Sequence, residues 1–196
     1  MFKPLAETFY DRPTLELSRN LLGQILVHET SEGILAGRIV ETEAYMGPED
    51  RAAHSFGNRR TKRTEIMFGK AGSVYTYQMH THTLINVVSE LPEDPRAILI
   101  RAVEPIEGLE RMAELRGRHM PMKQWTNGPG KLTKAMGITM DYYGHHFSER
   151  PLYIAEGESV HAVSTGPRIG IGNSLEAVDF PYRFWETENP FVSKFR

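Results

Sequence analysis

A chain of 196 residues, 40% hydrophobic and 24% charged, can bury one substantial core and is neither disordered nor fibrous. The absence of cysteine excludes a disulfide framework, a thiolate nucleophile and a cysteine zinc site. A net charge of −2 excludes a uniformly basic nucleic-acid binder, yet residues 51–70 carry +5 and the remainder −7. Arg51, Arg59, Arg60, Lys62, Arg63 and Lys70 stand there against the single acid Glu65. Such a run is either a solvated loop or a basic contact face for a phosphate backbone.

In chain order, "MFKPLAETFYDRP" has no apolar leader core and no later stretch is long enough to span a bilayer, so a cytoplasmic protein is expected. Thr14 is placed to cap a short helix running through Leu21 and Leu22 and closed by Gly23. "QILVHET" reads as a strand and "EGILAGRIVETEAY" as one or two more, with Gly33 and Gly37 as turn or bulge signals. "GSVYTYQM" and "RAILIRAVEP" follow as strands, and "EGLERMAELRGR" and "GPGKLTKAMG" as helices, the second opening on Pro129. "GPRIGIGN" reads as a strand and turn, and "PYRFWETENPFVSKFR" as an extended tail. No repeat or linker divides the chain, so residues 1–196 are expected to form one α+β domain, a largely antiparallel sheet with short helices.

Alternation puts Ile39, Glu41, Glu43 and Tyr45 on one face of "IVETEAY". Two carboxylates and a tyrosine on one face mean either a solvent-facing edge strand or a cleft, and period alone does not choose between Glu41 and Glu43. Tyr75, Tyr77 and Met79 share a face of "VYTYQM", which suits half-buried packing or a slot for a planar base. His54 follows in the loop after Tyr45. Arg101 sits with Ala97, Leu99 and Val103 on one face of "AILIRAV", and its natural partner is Glu41 or Glu43. His80 and His82 make a candidate metal pair if "HTH" is a strand, but no third ligand accompanies them. No Walker loop, nucleophile elbow, H-E-x-x-H or dinucleotide fingerprint occurs.

The segments "LLGQILV", "GRIVETEAYMGPEDRAAHS", "MFGKAGSVYTY", "LIRAVEPIEG", "NGPGKLTKAMGI" and "RIGIGN" together resemble the 3-methyladenine DNA glycosylases of the alkyladenine (N-methylpurine) type. They stand in family order over nearly the whole chain. The resemblance implies a curved antiparallel sheet and no cofactor. It implies Glu43 as the base that activates water, Arg101 as the residue positioning that water, and the backbone carbonyl of Ile171 as completing its site. Tyr45, His54 and Tyr77 would contact the extruded base, and Asn86 would crowd a guanine amino group. Where vertebrate members wedge a tyrosine into the duplex, "YQMHTHTLIN" is one residue shorter and brings Met79 and His80 near that position.

These expectations describe a monofunctional hydrolase acting on alkylated purines in double-stranded DNA, with Arg59 and Arg60 on the backbone, no metal, and a monomer beside the nucleoid. Competing readings are a nucleic-acid binding module without catalysis, a metal-assisted hydrolase using His80 and His82, and a glycosidase of free nucleosides. The basic run speaks for a polymer over a free nucleoside.

Overall fold

The computed structural model describes residues 2–194. Its elements are α1 (Thr14–Asn20), β1 (Ile25–Thr30), β2 (Gly33–Tyr45), β3 (Val74–Met79), β4 (His82–Ser89), β5 (Arg96–Glu107), α2 (Leu109–Arg116), α3 (Pro129–Ala135), β6 (Leu152–Ala155), β7 (Val163–Gly166) and β8 (Arg183–Glu186). All strand pairs are antiparallel, in the order β3-β4-β5-β2-β1-β6, with β8 joining β2 and β7. The sheet curls, and the fold is α+β. No helix among the described residues is long and apolar enough to cross a membrane.

The thirteen residues of "GILAGRIVETEAY" form a single strand, and that strand organises the molecule. One edge of β2 pairs with β5 along its length. The other edge is shared, by β1 up to Arg38 and by β8 at Glu41 to Glu43. The changeover coincides with register shifts between Ile39 and Glu41 and between Glu41 and Thr42. Because the side-chain period is two, an extra residue in a strand moves its neighbours to the opposite face. Ile39 accordingly lies in the main core with Ala44 rather than beside Glu41, and Val103 joins it there rather than lying beside Arg101. Strict alternation assigned both to the wrong face because it carries no information about bulges.

The sheet therefore has two chemically distinct faces. One presents Ile39, Val74, Ile85, Val87, Ile98 and Ile100 to Leu17 of α1, Leu21 just after it, Met112 of α2 and Leu132 of α3, all buried. Each such side chain contributes roughly 1.5–3 kcal/mol on leaving water. The other gathers Met67, Tyr75, Tyr77, Leu84, Val88, Ala97 and Leu99, with Tyr45 against them.

Other local expectations need correction. Pro13, not Thr14, is the N-cap of α1, and Thr14 instead turns its hydroxyl to Glu90 (2.8 Å). Residues 167–174 are bends and turns without a strand. The tail carries the short strand β8. Strand β4 has no counterpart in the sequence reading, because its hairpin turns through His80 and Thr81 without glycine or asparagine. His80 takes the left-handed backbone itself (φ 53°). His80 thus lies in the turn and His82 opens β4, so the two do not share a strand face.

Candidate active site

Three segments converge over the aromatic face: the loop after β2, the β3–β4 hairpin and the loop after β7. Gly47 (φ 72°) starts the first, where an added Cβ would meet the Pro95 carbonyl oxygen at 2.8 Å. Asp50 closes its turns by accepting from the amides of Met46 (2.9 Å) and Ala52 (3.0 Å). Between the segments lies a cleft of about 400 Å³, lined among others by Tyr45, His54, Tyr77, Asn86, Arg101 and Ile171. Met79 also lines it and leaves 45% of its surface exposed at the hairpin tip. His80 is exposed at the turn and is not part of the lining.

Glu43 is fully buried one layer behind this lining. Its Oε2 accepts from the Tyr45 hydroxyl (2.9 Å) and Arg101 Nη1 (3.2 Å), and its Oε1 from the Ile169 amide (2.6 Å). All three donors belong to residues of the cleft wall. Burial raises the Glu43 pKa above the ordinary carboxylate value, outweighing the opposing pull of Arg101, the Ile169 amide and the Tyr45 hydroxyl. Arg101, itself 6% exposed, also donates through Nε to Glu41 (3.1 Å) and through Nη2 to Ser193 (3.4 Å). Burial works against its charge, but Glu43 and Glu41 more than compensate and hold its proton more tightly. The arginine pairs with both carboxylates rather than one.

His54 shares a hydrogen bond through Nδ1 with the Tyr75 hydroxyl (2.7 Å) and stands edge-on to the Tyr77 ring at 4.6 Å. Burial, then Arg63 and Arg59, push its pKa down to about 4, so the imidazole is neutral near pH 7. Burial likewise lifts the Tyr77 hydroxyl to about 12. Asn86 is buried and fixed by donation from Nδ2 to the Tyr75 carbonyl (2.9 Å). The Ile171 carbonyl accepts from the Ser174 amide (2.9 Å) in the turn that closes the loop.

The basic run divides in two. Arg60 is held by Glu65 (2.7 Å) and Glu93 (2.8 Å), Lys70 by Glu7, and Arg51 by Glu176 (2.9 Å). Arg59, Lys62 and Arg63 form no ion pair among the described residues. Arg63 lies 5.9 Å from the Tyr77 ring centre. Among the described residues no group of three or more His, Cys, Asp or Glu side chains is placed to hold a metal ion.

Sequence reasoning passed over four contributors. Ile169 supplies the amide to Glu43, a backbone role invisible in residue identity. Arg183 and Ser193 anchor Glu41 from the tail. Arg168 is completely buried, donates twice to Asp50 (2.5 and 2.8 Å) and once to the Ala44 carbonyl (2.8 Å), and packs 4.7 Å from the Tyr45 ring centre. It ties the loop carrying His54 to the loop carrying Ile169. A lone arginine ahead of glycines and an aspartate in "GPED" were the only available signals.

Comparison with known proteins shows the family. A family model described as methylpurine-DNA glycosylase matches residues 8–190. A provisionally named 3-methyladenine DNA glycosylase of Bacillus subtilis strain 168 is 62% identical over 97% of each chain. A similarly named protein of Bacillus velezensis strain FZB42 is 63% identical over 98% of this chain and 97% of its own. One from Listeria monocytogenes serotype 4b is 46% identical over 95% and 90%. With a match that spans nearly the whole fold and includes every wall of the cleft, the chain belongs to the methylpurine-DNA glycosylase family.

Proposed function

We propose that this chain is a monofunctional DNA glycosylase, a hydrolase that removes 3-methyladenine-type alkylated purines from duplex DNA in base excision repair. One domain carries one site, and the product is an abasic site. The damaged nucleotide is flipped into the cleft, where Tyr45, His54 and Tyr77 contact its base. Alkylation leaves the purine positively charged, so it binds aromatic faces well and departs readily. Departure leaves an oxocarbenium-like sugar, and water activated by Glu43 and positioned by Arg101 completes the hydrolysis at C1′. Asn86 disfavours bases with a guanine-type amino group. No lysine lines the cleft among the described residues, which accords with hydrolysis rather than a Schiff base.

The observation that carries this reading is the donor set of Glu43. A carboxylate has about four acceptor positions. Three donors fill three of them here, and each belongs to the cleft wall, which holds the carboxylate directly behind the cavity. The raised pKa of Glu43 brings its proton affinity closer to what a general base needs near neutrality. The same burial favours a second reading, a lesion-binding module, because Glu43 touches no solvent in the unliganded chain.

Release of free base from methylated duplex DNA, in EDTA, with Glu43→Gln alongside, separates the two. Wild-type release that is lost in the variant supports the glycosylase. Lesion binding with no release by either protein supports the binding module.

A further inference from the structure

The loop after Ile171 carries a feature that this chemistry does not use. Leu175 exposes 65% of its surface and holds a left-handed backbone with φ 49°. A single exposed leucine is ordinary. A left-handed one is not, since its Cβ makes that conformation costly, and such residues concentrate at functional sites. Leu175 directly follows Ser174, a residue of the cleft wall. The segment is pinned on its other side. Ala177 is fully buried, its carbonyl accepts from Arg168 Nη2 (3.3 Å), and Glu176 pairs with Arg51 (2.9 Å). Leu175 thus stands between a residue of the cleft wall and a buried alanine, with its own side chain exposed.

A second observation comes from the same loop. Gly172 lines the cleft with a backbone outside the left-handed region, and a Cβ added there would meet nothing within 4 Å. The loop therefore has open space at the cleft wall three residues before the leucine.

Resting on the glycosylase reading above, we propose that Leu175 is a second apolar wedge, on a different element from Met79, that enters the DNA base stack beside the cleft. Extruding a nucleotide leaves a gap between its neighbours. An apolar side chain that fills the gap offsets the lost stacking. A wedge already held in place does so without further ordering. Met79 at the hairpin tip and Leu175 on the loop then contact the duplex from separate elements. Single-stranded DNA has no such gap, so the wedge matters only on duplex.

The test is single-turnover base release from methylated duplex and methylated single-stranded DNA by wild type, Leu175→Gly, Leu175→Asn and Leu175→Met. Glycine takes a positive φ freely, so Leu175→Gly should melt at the wild-type temperature or above it. Its duplex release should fall about tenfold, the scale of withdrawing one leucine from apolar contact, with single-strand release unchanged. Asparagine tolerates the backbone but is polar and should behave like glycine, whereas methionine should restore duplex release. Equal losses on both substrates would make Leu175 a support of the cleft and overturn the wedge. Undiminished duplex release by Leu175→Gly, with wild type active, would overturn the wedge alone. A wild type that releases no base from either substrate would overturn the glycosylase reading and the wedge with it.

Discussion

Glu41 and Glu43 lie two residues apart on one strand, both fully buried, both bonded to Arg101, and they are built for different work. Glu41 accepts from Arg101 Nε, Arg183 Nε and the Ser193 hydroxyl at Oε1 and from the Ser193 amide at Oε2. Its donors other than Arg101 come from β8 and the tail. Glu43 accepts from three donors, and all three belong to the cleft wall. Donors from β8 and the tail tie Glu41 into the fold, whereas those of Glu43 hold its carboxylate behind the cavity. The difference lies in what surrounds each glutamate, since the two side chains are identical.

The largest expected effect sharpens that contrast. Glu43→Gln should keep its affinity for damaged duplex and lose about 10²–10⁴-fold in base release, measured in single turnover. Glu41→Ala should fail in the other way. It leaves Arg101 and Arg183 facing a buried gap and should lower stability by about 3–5 kcal/mol in a urea titration. If Glu41→Ala folds with full stability, or Glu43→Gln turns over like wild type, the division of labour is wrong.

Smaller effects bear on the rest of the site. Tyr77→Ala should weaken base capture by about 1–3 kcal/mol, seen as a loss in kcat/KM on methylated duplex. Arg59→Ala should reduce the salt dependence of DNA binding by about one counterion in a titration of affinity against ionic strength. Arg60→Ala should change it less, because Glu65 and Glu93 already neutralise that guanidinium. The smallest effect is a pH dependence. A carboxyl whose folded pKa is raised stabilises the fold below its unfolded value, near 4.5, and loses that contribution as pH rises through the folded value. The melting temperature of Glu43→Gln should therefore gain on wild type from pH 4.5 upward, and a constant difference across that range would remove Glu43 from the balance.

Much of this architecture was legible in the residues, and the exceptions share causes. The long β2, the strands around Tyr77 and Arg101, and the helix opening on Pro129 follow from periodicity and turn residues. The faces of Ile39 and Val103 did not, because a bulge is one residue of slack that leaves no mark in composition. Strand β4 was hidden by a hairpin turn that uses histidine where glycine is usual. The cleft residues Tyr45, His54, Tyr77, Asn86 and Arg101 were named from motif resemblance, and the structure gathers them around one cavity. The supports were out of reach. Arg168 with Asp50, and Arg183 with Glu41, join residues separated by 118 and 142 positions, and no local pattern reports such a pairing.

Those separations also set the order in which the molecule becomes competent. Glu41 is completed by Ser193 across 152 positions, and Glu43 by Ile169 across 126. Contacts that span so much chain close late, since the entropy of a large loop must be overcome before they give anything back. A chain that has assembled β1 to β5 already has two walls of aromatic rings, yet Arg101 still lacks Ser193 and Glu43 its Ile169 amide. The contacts that fix Glu43 and Arg101 are therefore among the last that the fold can close.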